Sequence, residues 1–286
     1  MGIQAGCRND IRRRWGSVTP QDRTNFVNAI QCLTRRPRRG IWAGAGSVYD
    51  ELVWVHAQMM PQVHEVDLFL PWHRYYLHVF KMLLRDECGF NGPIPWWKET
   101  NNAGNMPASD IFSAQWFGAW PQAVNGNQGT CISNGPFAGL VNRISGQCVA
   151  RGEIKSETNE ITVAWEDVCN GQQGSTFSQH RSCVEYSNHA RLHRGFGPTM
   201  ANAAESPADP VFFLHHQYID WQWKRWQNGA SWRWSSISGC ANKANPCEPL
   251  TVNTRLTSMG LYRDMTVGEV LDSEGEVTCY TYDLLL

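Results

Sequence analysis

The chain has 286 residues, of which 25 are Lys or Arg and 26 are Asp or Glu, for a net charge of -1. No cationic excess is available to neutralise phosphates, which speaks against nucleic-acid binding. A hydrophobic share of 42% against 18% charged excludes a disordered chain, and no apolar run approaches the ~18 residues of a membrane helix.

The start, Met1-Gly2-Ile3-Gln4-Ala5-Gly6-Cys7, lacks a cationic head followed by an apolar stretch, and Gly6 stands where a myristoylation signal needs Ser or Thr. Thr19-Pro20-Gln21-Asp22 reads as an N-cap with proline at the first helical position, and Phe26, Ile30 and Leu33 then recur on one face. Ser47 caps a second helix with Leu52, Val55 and Met59 as its stripe. Pro71 opens a third, with Tyr76, Val79, Phe80, Leu83 and Leu84 inward. Ser182 and Glu185 fit a capping box for a fourth. Asp209-Pro210 starts a fifth, and Thr266 to Glu269 predicts a short late helix. Between them, at about 100–180 and 227–262, lie Gly/Asn/Ser/Pro-rich stretches with short β-like pieces such as Glu160-Ile161-Thr162-Val163. Loops this long inside a domain are functional or tied by disulfides. No linker-like break appears, so residues 1–286 are read as one mainly α-helical domain.

Ten cysteines are present, with no CxxC pair. Zinc-ribbon and thioredoxin readings lose their main signal. As many as five disulfides and an oxidising compartment are expected; buried free thiols are the alternative. No Asn-x-Ser/Thr sequon occurs.

The nine histidines fall into two groups, His56, His64, His73, His78 and His180, His189, His193, His215, His216. His189 and His193 are one helical turn apart on one face, which is metal-ligand spacing. A lone H-x-x-x-H is more often a solvated or packed pair, and Ala190 removes the HExxH zinc-protease motif. The wider pattern adds weight: Phe69 precedes His73, and Phe212 precedes His216, by four residues each, so a ring can wall each site against water. Two helix-borne groups of about three histidines suggest two similar metal sites facing each other. Imidazole suits copper, zinc, iron and nickel, and spacing does not choose among them.

His56, His64 and the run Phe69-Leu70-Pro71-Trp72-His73-Arg74 resemble the copper-A half of the tyrosinase and polyphenol oxidase family. Asn188-His189-Ala190-Arg191-Leu192-His193 and Asp209 to Asp220 resemble its copper-B half. The similarity covers most of the chain and is greatest to short fungal members. It implies a helical bundle core holding a binuclear copper site, with long loops and few short β-strands. One copper would sit on His56, His64 and His73, the second on His189, His193 and His216. His215 would then orient a neighbour by hydrogen bonding, and Asp220, one turn beyond His216, would anchor the same surroundings. His78 is read as a packed helix residue and His180 as loop. Tyr280-Thr281-Tyr282 resembles the Tyr-x-Tyr motif that closes the family's core near its N-terminal arginines, which implies that a C-terminal shielding domain is absent. The resemblance also suggests a Cys7–Cys279 pair.

The implied activity is oxidation of an o-diphenol to an o-quinone with dioxygen on two copper ions and, in tyrosinases proper, hydroxylation of a monophenol. Glu185, four residues before His189, matches a position where relatives hold an active-site water, beside its alternative as a cap. The family's Asn after the first copper-B histidine is Ala190 here, a departure that bears on monophenol hydroxylation. Arg194 matches a substrate-contacting position in some relatives, with a surface charge as the alternative. Ala203, thirteen residues before His216, matches the gate above copper A and leaves it open. Gln62 stands where many fungal members have a thioether-forming Cys, so no Cys–His crosslink is expected. Trp96-Trp97-Lys98-Glu99 departs from the family's aromatic-Asp/Asn-Trp run and reads as local packing. An o-aminophenol oxidase and a hemocyanin-like oxygen carrier are the rival readings; an unrelated zinc hydrolase requires the motifs to coincide by chance. The expected partners are a small phenolic or aminophenolic substrate and dioxygen, with no nucleic acid and no membrane, in a secreted or otherwise oxidising setting.

Overall fold

The structure, a computed structural model, describes residues 10–120, 129–171 and 176–285. Helix α1 (Pro20–Leu33) begins as its sequence predicts: the Thr19 hydroxyl accepts from the Asp22 amide, satisfying one of the donors a helix start leaves free. Helix α2 (Val48–Val63) is capped the same way by Ser47. Helix α3 (Phe69–Cys88) starts two residues before Pro71 and ends at Gly89 in the left-handed conformation, φ 65°. Pro71 is tolerated because its position in the first turn has no intrahelical acceptor to lose.

The stretch expected as loop at about 100–180 carries helices α4 (Lys155–Thr158) and α5 (Val163–Gly171), so Glu160 to Val163 is not strand. Apolar-polar alternation over four residues is too short to decide between the two. Helix α6 (Phe177–Val184) corrects a boundary. Its capping box is Thr176 with Gln179, whereas Ser182 lies in its last turn. His180, expected in a loop, sits on this helix, its Nδ1 donating to the Cys169 carbonyl at 2.8 Å. A π turn over Glu185–His189 leads into α7 (Ala190–Phe196) and α8 (Pro198–Ala201). Helix α9 (Val211–Asn228) follows Pro210, and α10 (Val267–Leu271) is the expected short late helix, started by a Thr266–Glu269 capping box.

Helices α3 and α9 run antiparallel through the centre. His73 stacks on His216 with ring centroids 4.4 Å apart, Tyr76 on Phe213 at 5.8 Å and Phe80 on Phe213 at 3.7 Å. Rising numbers on one helix thus meet falling numbers on the other. Strand β1 (Asp10–Arg14) pairs in parallel with β2 (Pro95–Trp96). It also pairs with a late strand, Tyr280–Tyr282, in register Arg12 to Tyr282. Short two-residue pairs at Thr130–Cys131 with Ala150–Arg151, and Arg255–Leu256 with Met265–Thr266, complete the few strands.

Disulfides Cys32–Cys88, Cys131–Cys148, Cys169–Cys183 and Cys240–Cys247 tie the described segments. Cys279 is also disulfide-bonded; Cys7, its expected partner, lies outside the described residues. The cysteines therefore hold the long connections, as their number suggested. No helix among the described residues is long and apolar enough to cross a membrane.

Candidate metal centre

His56 lies on α2, His64 caps the C-terminus of that helix, and His73 lies in the second turn of α3. Their ligating atoms gather within 4.8 Å of one another. A second group, His189, His193, His215 and His216, gathers within the same limit. It is built from the end of the π turn, from α7 and from α9. All seven rings are buried. The two groups face each other: His73 stacks on His216, and His64 and His189 have ring centroids 5.8 Å apart.

Backbone carbonyls fix four of these rings. His56 Nδ1 donates to Ala204 at 2.9 Å, His73 Nδ1 to Phe69 at 2.8 Å, His189 Nδ1 to Glu185 at 3.0 Å and His193 Nδ1 to Met200 at 2.8 Å. A carbonyl only accepts, so each Nδ1 carries the proton and each Nε2 presents a lone pair. The Nε2 atoms of His64, His189, His193 and His216 are buried without a hydrogen-bond partner among the described residues. Those of His56 and His73 face each other at 3.4 Å. Buried polar atoms are normally satisfied, and a converging set of unsatisfied imidazole nitrogens fits a metal. Burial pushes the pKa of His56, His73, His189 and His216 well below the usual histidine value, and that of His193 down to about 4. These five rings are therefore neutral, the form that binds metal.

The segment after α7 serves both groups at once. Met200 holds His193 and, four residues on, Ala204 holds His56. These carbonyls carry no sequence signal, because any residue supplies one. Phe69 packs on His73 at 4.5 Å and on His189 at 4.9 Å, and Phe212 packs on His216 at 4.1 Å and on His56 at 5.0 Å. Each Phe thus touches both groups.

Glu185 is buried and spans the halves. Its Oε1 accepts from the Glu65 backbone at 2.8 Å and lies 3.3 Å from His64 Nδ1, and its Oε2 accepts from Arg181 at 2.9 Å. Glu65 has φ 62°, an unusual conformation outside glycine, and Glu185 pins that reversal directly after His64. Arg181 continues to Asp67, which accepts in turn from the Cys240 amide. No motif in the sequence marks Arg181 or Asp67.

Among the described residues the Asp220 carboxylate bonds to no histidine. It accepts from Arg12, Arg74, Tyr280 and Tyr282, and so locks α9 to α3 and to the terminal strand. Burial alone would raise its pKa, but Arg74 and Arg12 hold it below the ordinary carboxylate value. Arg194 is half exposed and pairs with Glu157 at 3.0 Å. Its charge is nonetheless near enough to depress His193. Ala190 and Ala203 are partly exposed. Ala203 accepts from the Ser206 hydroxyl at 3.0 Å and precedes the carbonyl that holds His56. His215 is held by Glu99, whose Oε1 lies 2.6 Å from His215 Nδ1. Burial, with Glu166 adding to it, pushes the Glu99 carboxyl well up.

Residues 46–229 match the family model described as the common central domain of tyrosinase. Tyrosinase ustQ of Aspergillus flavus is 33% identical over 96% of this chain and 80% of its own length. The N-acetyl-6-hydroxytryptophan oxidase ivoB of Emericella nidulans is 27% identical over 96% of this chain and 92% of its own. Among solved structures, a polyphenol oxidase mutant from Thermothelomyces thermophila superposes with a TM-score of 0.79 at 22% identity, covering 96% of this chain and 89% of that one. A functional unit of octopus hemocyanin superposes at 0.69 and 18% identity, covering 96% and 68%. Tyrosinase-family proteins bind two copper ions, which the two histidine groups fit. The chain therefore belongs to the tyrosinase family and is a type 3 copper oxidoreductase.

Proposed function

We propose that the protein oxidises o-diphenols to o-quinones with dioxygen. His56, His64 and His73 hold one copper, and His189, His193 and His216 hold the other. Two copper ions in such a site supply the one-electron cycles that carry electrons from the phenol to dioxygen. Two diphenols each give up two electrons and two protons, and one dioxygen becomes two waters. The chain's own part is geometric. Carbonyl bonds fix the tautomer and angle of His56, His73, His189 and His193, and Phe69 and Phe212 exclude water. The observation that carries the reading is the set of buried, partnerless Nε2 atoms converging from two helix pairs.

Glu185 is the carboxylate best placed to receive a phenolic proton through a water, since it touches His64. Arg194 and Ala203 are assigned to the substrate's approach, Ala203 as a small gate residue. The relatives' names, a tyrosinase and a hydroxytryptophan oxidase, support a hydroxylated aromatic ring as substrate. Ala190 favours a second reading, an o-aminophenol oxidase, because it removes the amide that would help hold the water for monophenol chemistry. The four described disulfides support a secreted protein.

The test loads the chain with copper, counts metal per chain and offers catechol, a monophenol and an o-aminophenol. Two coppers with quinone formation from catechol is the expected result. One zinc per chain, or no turnover of any of the three, overturns it, and turnover confined to the o-aminophenol selects the second reading.

A further inference from the structure

The departure Lys98-Glu99 puts a carboxylate in the core. Glu99 is fully buried at the start of a short turn, Glu99–Asn102. The neighbouring Lys98 is ion-paired with Glu166, and Glu99 Oε2 has no hydrogen-bond partner among the described residues. A buried carboxyl group with so little compensation is costly, and an apolar side chain of similar size would avoid that cost. Among the described residues its one side-chain hydrogen bond is to His215 Nδ1, at 2.6 Å.

His215 occupies an ambiguous place. Its ring stacks on His189 at 5.3 Å and meets His193 at 4.9 Å, and its Nε2 is partnerless. Four imidazoles with ligating atoms within 4.8 Å therefore stand where three are required. Rotation of His215 would let it compete with a ligand and would remove the surface on which His189 and His193 rest. A carboxylate bonded to the far side of a histidine ring is a general device for fixing that ring near a metal.

We propose that Glu99 is a positioning residue of the second copper half. It holds His215 Nδ1, keeps the ring as a fixed wall behind His189 and His193, and withholds it from the ligand set. The proposal rests on the assignment of copper to His189, His193 and His216.

Copper is titrated into the whole metal-free chain, and the number bound and the affinity of the weaker ion are measured. Circular dichroism and the metal-free unfolding midpoint monitor the fold. Glu99→Ala weakens the second copper, by no more than the ~10–100-fold that losing the partner of a ligating histidine costs. Glu99→Gln, whose amide oxygen can accept the same bond, restores most of the affinity. His215→Ala causes a comparable loss, and adding Glu99→Ala to it lowers affinity no further. Wild-type copper affinity in folded Glu99→Ala overturns the proposal, and so does a full additional loss in the double variant. If Glu99→Ala fails to fold, Glu99→Gln and His215→Ala decide: retained binding in the first with loss in the second supports the proposal, and any other pair of results overturns it. A wild-type chain that takes up fewer than two coppers overturns the proposed function and this inference together. A wild-type chain with two coppers and unaffected variants overturns this inference alone.

Discussion

His56 Nε2 lies 3.4 Å from His73 Nε2, and both rings already spend their Nδ1 protons on carbonyls. Two neutral imidazoles so arranged point lone pairs at each other, an arrangement a bound cation relieves. Copper should therefore stabilise the fold as well as equip it. At a free concentration one hundred times its dissociation constant, each ion adds about 2.7 kcal/mol. A chain of this size should then melt several degrees higher, at ~2–4 °C per kcal/mol. Thermal unfolding with and without copper measures this, and identical midpoints would refute it. His73→Ala should lose the ion of its half.

Asp220 carries a different load. It is buried between the guanidinium groups of Arg12 and Arg74 and accepts from two tyrosines of the last strand. Asp220→Ala leaves two buried cations without their carboxylate, a change worth about 3–5 kcal/mol. Urea unfolding should show that loss, although Asp220 touches none of the histidines that gather the metal. A loss below ~1 kcal/mol would mean that water compensates the cations.

The Cys32–Cys88 bridge joins the end of α1 to the end of α3 across 56 residues. The chain-entropy relation for a loop of that length gives about 4 kcal/mol of stabilisation. Replacing both cysteines by serine should lower the unfolding free energy by that order and leave the metal count unchanged, since neither residue lines the histidine groups. Loss of copper from the doubly substituted chain would show instead that α3 shifts without the bridge.

Much of this was legible in the sequence because helix starts and histidine spacing are local. Thr19 and Ser47 cap their helices as expected, the short late helix forms after Thr266, and the six motif histidines fall into two facing groups. What escaped was set by contacts distant in sequence. Glu99 meets His215 across 116 positions, and Ala204 meets His56 across 148. The capping box expected at Ser182 belongs to Thr176 because two Ser/Thr-x-x-Gln/Glu runs, 176–179 and 182–185, follow closely on each other, and the pattern alone cannot rank them. The resemblance places Asp220 with the histidines, one turn beyond His216, but α3 and β1 offer it cations and the terminal strand offers two tyrosine hydroxyls.

Ala190 opens α7 directly after His189. If an amide at that position helps hold the water that takes a phenolic proton, Ala190→Asn should raise monophenol turnover several-fold and leave catechol oxidation little changed. Steady-state rates on matched monophenol and catechol pairs test this. Equal changes on both substrates would assign the position to access instead of proton transfer. Glu185→Gln should lower monophenol turnover in that variant, with rates compared per bound copper because Glu185 also supports His64.

The metal-free protein should weaken as pH falls. Burial holds His180 down to about 3, and burial with the nearby charge of Lys81 does the same for His78. In the unfolded chain each takes its proton near pH 6.5. Between about 3 and 6.5 the unfolded state therefore binds more protons, so stability is full above 6.5 and falls as pH drops, by up to about 1.4 kcal/mol per pH unit for each histidine. The depressed histidines of the metal groups act in the same direction when copper is absent. Asp220 does not confuse the window above pH 5, because its contribution is lost nearer its unfolded value of 3.8, and the raised Glu99 carboxyl opposes the decline as one group against several histidines. Urea midpoints at pH 7.5, 6.5 and 5.5 should decline, and His180→Phe should flatten the decline by one histidine's share. That ring keeps the stack on Trp226, now at 4.9 Å, and gives up the bond to Cys169. It should therefore start slightly less stable at pH 7.5, and a slope unchanged by the substitution would mean that His180 takes up its proton without unfolding.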